Sequence, residues 1–233
     1  MLRIDVLTLF PKMFEGPLGE SMIRLAQKKG LVKIVVHNLR KWTRDKHRTA
    51  DDKPFGGGAG MVMKIEPIFG GLLEIQKKVR SKGHVVMLSP RGKTYHQATA
   101  KALLRKKHLI FICGHYEGID ERVYEHLVDQ EISMGDFITT GGELPVMCVV
   151  DSVVRLIPGV LGNKSSLKSE SFQRHLLEYP QYTRPYEFHG WKVPDVLRSG
   201  VHQKIAEWRE KTSIAMTKKW RKELLKKDIS SSK

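Results

Sequence analysis

The chain has 233 residues, with 41 Lys and Arg against 25 Asp and Glu, giving a formal net charge of +16 at pH 7. That excess points to a polyanionic partner, and a hydrophobic content of 40% excludes a globally disordered chain. No run approaches the roughly 18 apolar residues of a spanning helix, and the opening MLRIDVLTLFPKMFEG carries Asp5 and no small-residue cleavage site, so the expectation is a soluble, unexported, cytoplasmic protein without a membrane partner.

In chain order, short β-branched runs alternate with helical patterns. RIDVLTLF (3–10) predicts a strand, PLGESMIRLAQKKG (17–30) a helix and LVKIVVHNL (31–39) a second strand. IFGGLLEIQKKVR (68–80), QATAKALLRKK (97–107) and DERVYEHLV (120–128) follow as helices, separated by the strands HVVMLSP (84–90) and LIFICG (109–114). Apolar strands alternating with helices predict an α/β layer around a mainly parallel sheet. Near VLGNKSSLKSES apolar periodicity gives way to Gly, Asn, Ser and Lys, which places a linker at 163–169 between a first domain, 1–162, and a second, 170–233. Residues 163–233 hold 16 Lys and Arg against 8 Asp and Glu, so this second module is basic. Its HQKIAEWREKTSIAMTKKWRKELLKK segment reads as helical, after an irregular stretch rich in Pro and aromatics.

Three polar, glycine-bearing segments fall at predicted strand ends: SPRGK, CGHYEGIDERV and ISMGDFITTGGELP. In an open α/β sheet ligands bind beyond the carboxyl ends of the strands, so these are the natural pocket walls. No GxxxxGK[ST] or strand-to-helix GxGxxG occurs, which argues against nucleoside triphosphate and dinucleotide sites. GGGAG (56–60) lacks the Lys-Ser/Thr of a phosphate loop and instead allows a close-approaching backbone. Cys113 and Cys148 lie in apolar runs without CxxC spacing, and the histidines and carboxylates show no metal-ligand spacing, so neither a zinc site nor a Mg²⁺ requirement is readable. Asp120 and Glu121 read as N-cap and first-turn acid of the helix that follows.

Taken together and in order, these motifs resemble those of the bacterial tRNA (guanine-N1)-methyltransferases, trefoil-knotted members of the SPOUT methyltransferases. The likeness runs from RIDVLTLFPKMFEGPLGESMI through HRTADDKPFGGGAGMVMKIEPI, SPRGK, CGHYEGIDERV and EISMGDFITTGGELPVMCVVDSVVRLIPGVLGN to ESFQRHLLEYPQYTRP and VPDVLRSGVHQKIAEWR. It implies a SPOUT-type knotted α/β domain plus a small C-terminal helical domain, in a homodimer whose active site is shared between subunits. The implied reaction is methylation of N1 of guanine 37 in tRNA, with S-adenosylmethionine as donor.

Carried over by position, the resemblance assigns donor contacts to Leu88, Ser89, Pro90, Gly114, Glu117, Met134, Gly135, Asp136, Phe137, Ile138, Thr139, Gly141 and Gly142. It assigns removal of the N1 proton to Glu170, where the family has Asp, and stabilisation of charge on guanine O6 to Arg155. His47, Arg48 and Asp51 fall in the stretch the family places near the target base. His115 stands where the family often has Arg, and no role is assigned to it. From the residues alone, Glu170 reads as a surface acid near a helix start and Arg155 as a partner in an ion pair.

Overall fold

The structure, a computed structural model, describes residues 1–162 and 169–229; residues 163–168 of the predicted linker lie outside the described residues. The chain divides into two compact units, Met1–Gly162 and Asn163–Lys233.

The first unit is built on five strands, β1 (Leu2–Thr8), β2 (Val32–Asn38), β5 (His84–Thr94), β6 (His108–Ile112) and β7 (Gln130–Ser133), in the order β2-β1-β6-β5-β7. Every pairing among them is parallel. β6, at the centre, is buried at all five positions, as a strand covered on both faces must be. On one face Leu7, Val85, Met87, Ile110 and Ile112 pack with Ile68, Leu72 and Ile75 of α3 (Ile65–Val79) and Val123 of α5 (Glu121–Leu127). The alternate residues of the same strands, among them Ile4, Val6, Val86, Leu109 and Phe111, are also buried. Along the chain lie α1 (Glu15–Gly19), α2 (Ser21–Lys28), α4 (Gln97–Leu104) and α6 (Glu143–Val154), with α6 touching both α2 and α4.

Two local readings are corrected. The segment expected as one helix over 17–30 is split in two, because Glu20 is extended and Ser21 takes a φ of 50°. The strand expected to stop at Ser89-Pro90 resumes: Leu88 and Lys93 both pair with Ile132 of β7, so residues 89–92 leave the ladder as an excursion within β5. Gly92 makes that return possible, since a Cβ there would lie 2.5 Å from Ile132 N. A short antiparallel hairpin, β3 (Asp51–Asp52) with β4 (Val62–Met63), carries GGGAG at its tip, where Gly56, Gly57, Gly58 and Gly60 all have positive φ.

In the second unit, β8 (Glu187–Phe188) and β9 (Trp191–Lys192) form a small hairpin within the stretch read as irregular. α7 (His202–Trp220) follows and buries Ser213 and Thr217. The Thr217 hydroxyl donates to Ser213 O at 2.7 Å and accepts from Leu177 N at 2.8 Å, tying the helix to the preceding segment.

Candidate active site

Because the five strands are parallel, their carboxyl ends share one edge, and a cavity of about 350 Å³ opens there, within the usual size of small-molecule sites. Its wall is assembled from Leu88 and the β5 excursion after it (Ser89, Pro90), the loop after β6 (Gly114 to Gly118) and the segment from β7 into α6 (Ile132 to Gly135, Phe137 to Gly142, and Pro145). Of the residues assigned to the donor, twelve border this cavity; Asp136 does not, and it is exposed. Phe137 and Ile138 are 59% and 80% exposed at the same time as they line it, so they form its rim.

Backbone meets backbone behind the cavity. Gly142 N donates to Gly114 O at 2.8 Å, and His115 and Gly141 form an isolated bridge. The β5 excursion is held by Arg91, whose guanidinium binds Glu121 at 2.8 Å and Glu131 at 2.9 Å and lies 3.9 Å over the ring of Tyr124, another cavity residue. The hydrogen bonds it donates to Glu131 and then Glu121 raise the Arg91 pKa further, so its charge is permanent. Nothing in the sequence singled Arg91 out, since its partners are 30 and 40 residues away.

The β3–β4 hairpin is laced onto the loop after β6. Glu117 N donates to Met61 O at 3.0 Å, Met63 N to Gly118 O at 2.9 Å and Asp120 N to Met63 O at 3.0 Å. A Cβ on Gly60 would stand 2.5 Å from the Glu117 side chain, so glycine at the hairpin tip makes room for this cavity acid. Asp51 is half-buried in β3, while His47 and Arg48 are exposed in the turn before it, capped by Asp45 through His47 N at 3.1 Å. None of the three lines the cavity; the hairpin brings their segment beside it.

Asp120 caps α5, accepting from Arg122 N at 3.0 Å. Cys113, next to the cavity loop, is fully buried; burial, and after it the nearby Glu143 carboxylate, push its thiol well up, so it stays protonated and offers no nucleophile. Among the described residues no group of three or more His, Cys, Asp or Glu could hold a metal ion.

Arg155 and Glu170, the two residues assigned to catalysis, are not among the residues that line this cavity. Arg155 is the half-buried C-cap of α6, whose first residues form the cavity wall. The twelve residues of that helix span roughly 18 Å at 1.5 Å per residue. Glu170 belongs to the second unit, half-buried, with its carbonyl accepting from Gln173 N at 3.3 Å.

A sequence model of the family described as tRNA (Guanine-1)-methyltransferase TrmD matches residues 2–227. The chain belongs to the TrmD family. Among similar proteins, the tRNA (guanine-N(1)-)-methyltransferase of Dictyoglomus turgidum is 54% identical over 227 residues, covering 97% of this chain and 91% of that protein. The protein of the same name from Bacillus subtilis is 52% identical over 225 residues, 97% of this chain and 93% of its own length. The TrmD match spans all three cavity segments, Arg155 and Glu170.

Proposed function

We infer that the chain is an S-adenosylmethionine-dependent tRNA (guanine-N1)-methyltransferase that modifies guanine 37, next to the anticodon, and that it acts in the cytoplasm as a homodimer. The carrying observation is that a family match over residues 2–227 falls on a cavity walled by three loops from one sheet edge. The cavity suits the donor: Leu88, Ile132 and Pro145 offer apolar surface for an adenine, and Glu117 offers a carboxylate for an ammonium. When bound, the donor supplies an electrophilic methyl group on a sulfonium.

The chain's own groups account for the rest. The ring nitrogen N1 of neutral guanine carries a proton, and the Glu170 carboxylate takes it as the nitrogen attacks. Negative charge then spreads to O6, where the fixed guanidinium of Arg155 stabilises the transition state more than the ground state. Arg155 lies a helix length from the cavity of its own chain, which favours a site completed by a second subunit. The first 162 residues are assigned to a trefoil-knotted SPOUT domain, 163–169 to a linker and 170–233 to a basic helical domain. Its surplus of Lys and Arg supplies phosphate contacts to tRNA.

The direct test is incubation of the purified protein with labelled donor and a tRNA transcript bearing guanine 37, followed by nucleoside analysis. The expected product is 1-methylguanosine, absent when position 37 is adenine. Tight tRNA binding without methylated product would instead make the chain a non-catalytic RNA-binding protein.

A further inference from the structure

Glu143 opens α6 and is 1% exposed. Its Oε1 accepts from the Thr8 hydroxyl at 2.7 Å, and Thr8 Oγ1 in turn accepts from Phe10 N at 2.9 Å. Oε2 faces Nδ1 of His115 at 3.9 Å. That nitrogen is buried and has no hydrogen-bond partner, an arrangement that costs free energy unless something completes it. Phe10 and Tyr116 pack on the ring, with centroids 4.7 and 5.0 Å away. The passage between the two groups is kept open by Gly141, where a Cβ would overlap Glu143 Oε2 and stand 2.6 Å from His115 Nδ1.

The His115 side chain is 25% exposed and borders the cavity. With Nδ1 buried beside Glu143, the accessible edge of the ring is the one that carries Nε2. Among the described residues lining the cavity there is no Lys or Arg, and His115 is the one basic side chain. Glu117, two positions on, is the one carboxylate there. A ring N–H donor and a carboxylate on the same loop match the carboxylate and ammonium of an amino acid zwitterion.

We propose that the His115 ring, its Nδ1 edge turned towards Glu143, presents Nε2–H to the carboxylate of the donor's amino-acid portion, while Glu117 takes its ammonium. His115 is thus a binding residue, and Glu143 a positioning residue that acts through it. The assignment rests on the donor reading of the cavity and deepens it.

Calorimetric titration of the full chain separates the possibilities with two probes, S-adenosylhomocysteine, which carries the amino acid, and 5′-methylthioadenosine, which lacks it. Loss of a charge-assisted hydrogen bond predicts that H115Q weakens S-adenosylhomocysteine by roughly 10- to 100-fold and leaves 5′-methylthioadenosine unchanged. E143Q, which keeps an acceptor for Thr8, produces a smaller loss with the same sparing. Equal losses for both probes, or no loss for either, overturn the assignment. Failure of the wild-type chain to bind either probe overturns the donor reading itself, and the assignment with it.

Discussion

Gly142 and Gly114 touch through their backbones: the 2.8 Å hydrogen bond from Gly142 N to Gly114 O leaves so little space that a Cβ on Gly142 would lie 2.9 Å from Gly114 N. By contrast, a Cβ on Gly114 would meet Ile119 Cδ1 at an ordinary 3.5 Å. Gly142→Ala is therefore predicted to destabilise the chain by about 1–3 kcal/mol through overpacking. Gly114→Ala should cost well under about 1 kcal/mol. Chemical denaturation of both variants checks the contrast; equal stability would mean that the close approach is not needed. Gly142 thus serves the protein's own packing before it serves a ligand, whereas Gly114 has room for a Cβ.

Asp5, fully buried in β1, accepts from His108 at 2.8 Å, His37 at 2.7 Å and Arg3 at 2.6 Å. Burial alone would raise its pKa; the bonds from His108, His37 and Arg3 outweigh that and hold the carboxyl well below the usual range. A depressed folded-state pKa gives stability that is fully present above the unfolded value of about 3.9 and is lost as pH falls through that value towards the folded one. Urea midpoints should therefore drop below about pH 4 in the wild type and less steeply in Asp5→Asn. At neutral pH that variant should be less stable by about 3–5 kcal/mol. Parallel pH profiles for the two would remove Asp5 from the account.

Much of this was legible in the sequence, and the omissions have physical reasons. Central strands such as LIFIC announce themselves because both faces are buried, and Asp120 announces a cap because capping is local. The return of β5 after Pro90 was not legible, because it depends on where β7 lies rather than on residues 89–92 themselves. His115 carried no signal because its meaning comes from a buried acid 28 positions later. Arg155 and Glu170 were legible only through resemblance: the first is a helix length from the cavity, and the second lies in another compact unit.

Replacing Glu170 with Gln removes the proposed base at nearly constant shape and should lower methylation by roughly 10²–10⁴-fold, with donor binding unchanged. Arg155→Lys keeps the charge but loses the planar fork, and should lower turnover with little effect on donor affinity. Single-turnover kinetics beside donor titrations distinguish these outcomes from a defect in the cavity, which would weaken the donor first.

A chain ending at Gly162 retains every cavity segment and should still bind S-adenosylhomocysteine. Its tRNA affinity should collapse, and the dependence on salt should become shallower, because phosphate contacts of the basic unit are gone. Equal tRNA affinity of the truncated and full chains at one salt concentration would assign the phosphate contacts to the first unit.

The shared site is tested most directly by mixing two inactive chains. Glu170→Gln lacks the proposed base, and Glu117→Lys places a like charge where the donor's ammonium is proposed to bind. A heterodimer of the two pairs an intact cavity on one subunit with an intact Glu170 on the other, so it holds one working site. Methylation by purified heterodimers, well above that of either variant alone, is the predicted result; heterodimers that form, fold and remain as inactive as the parent variants would contradict a site completed across the subunits.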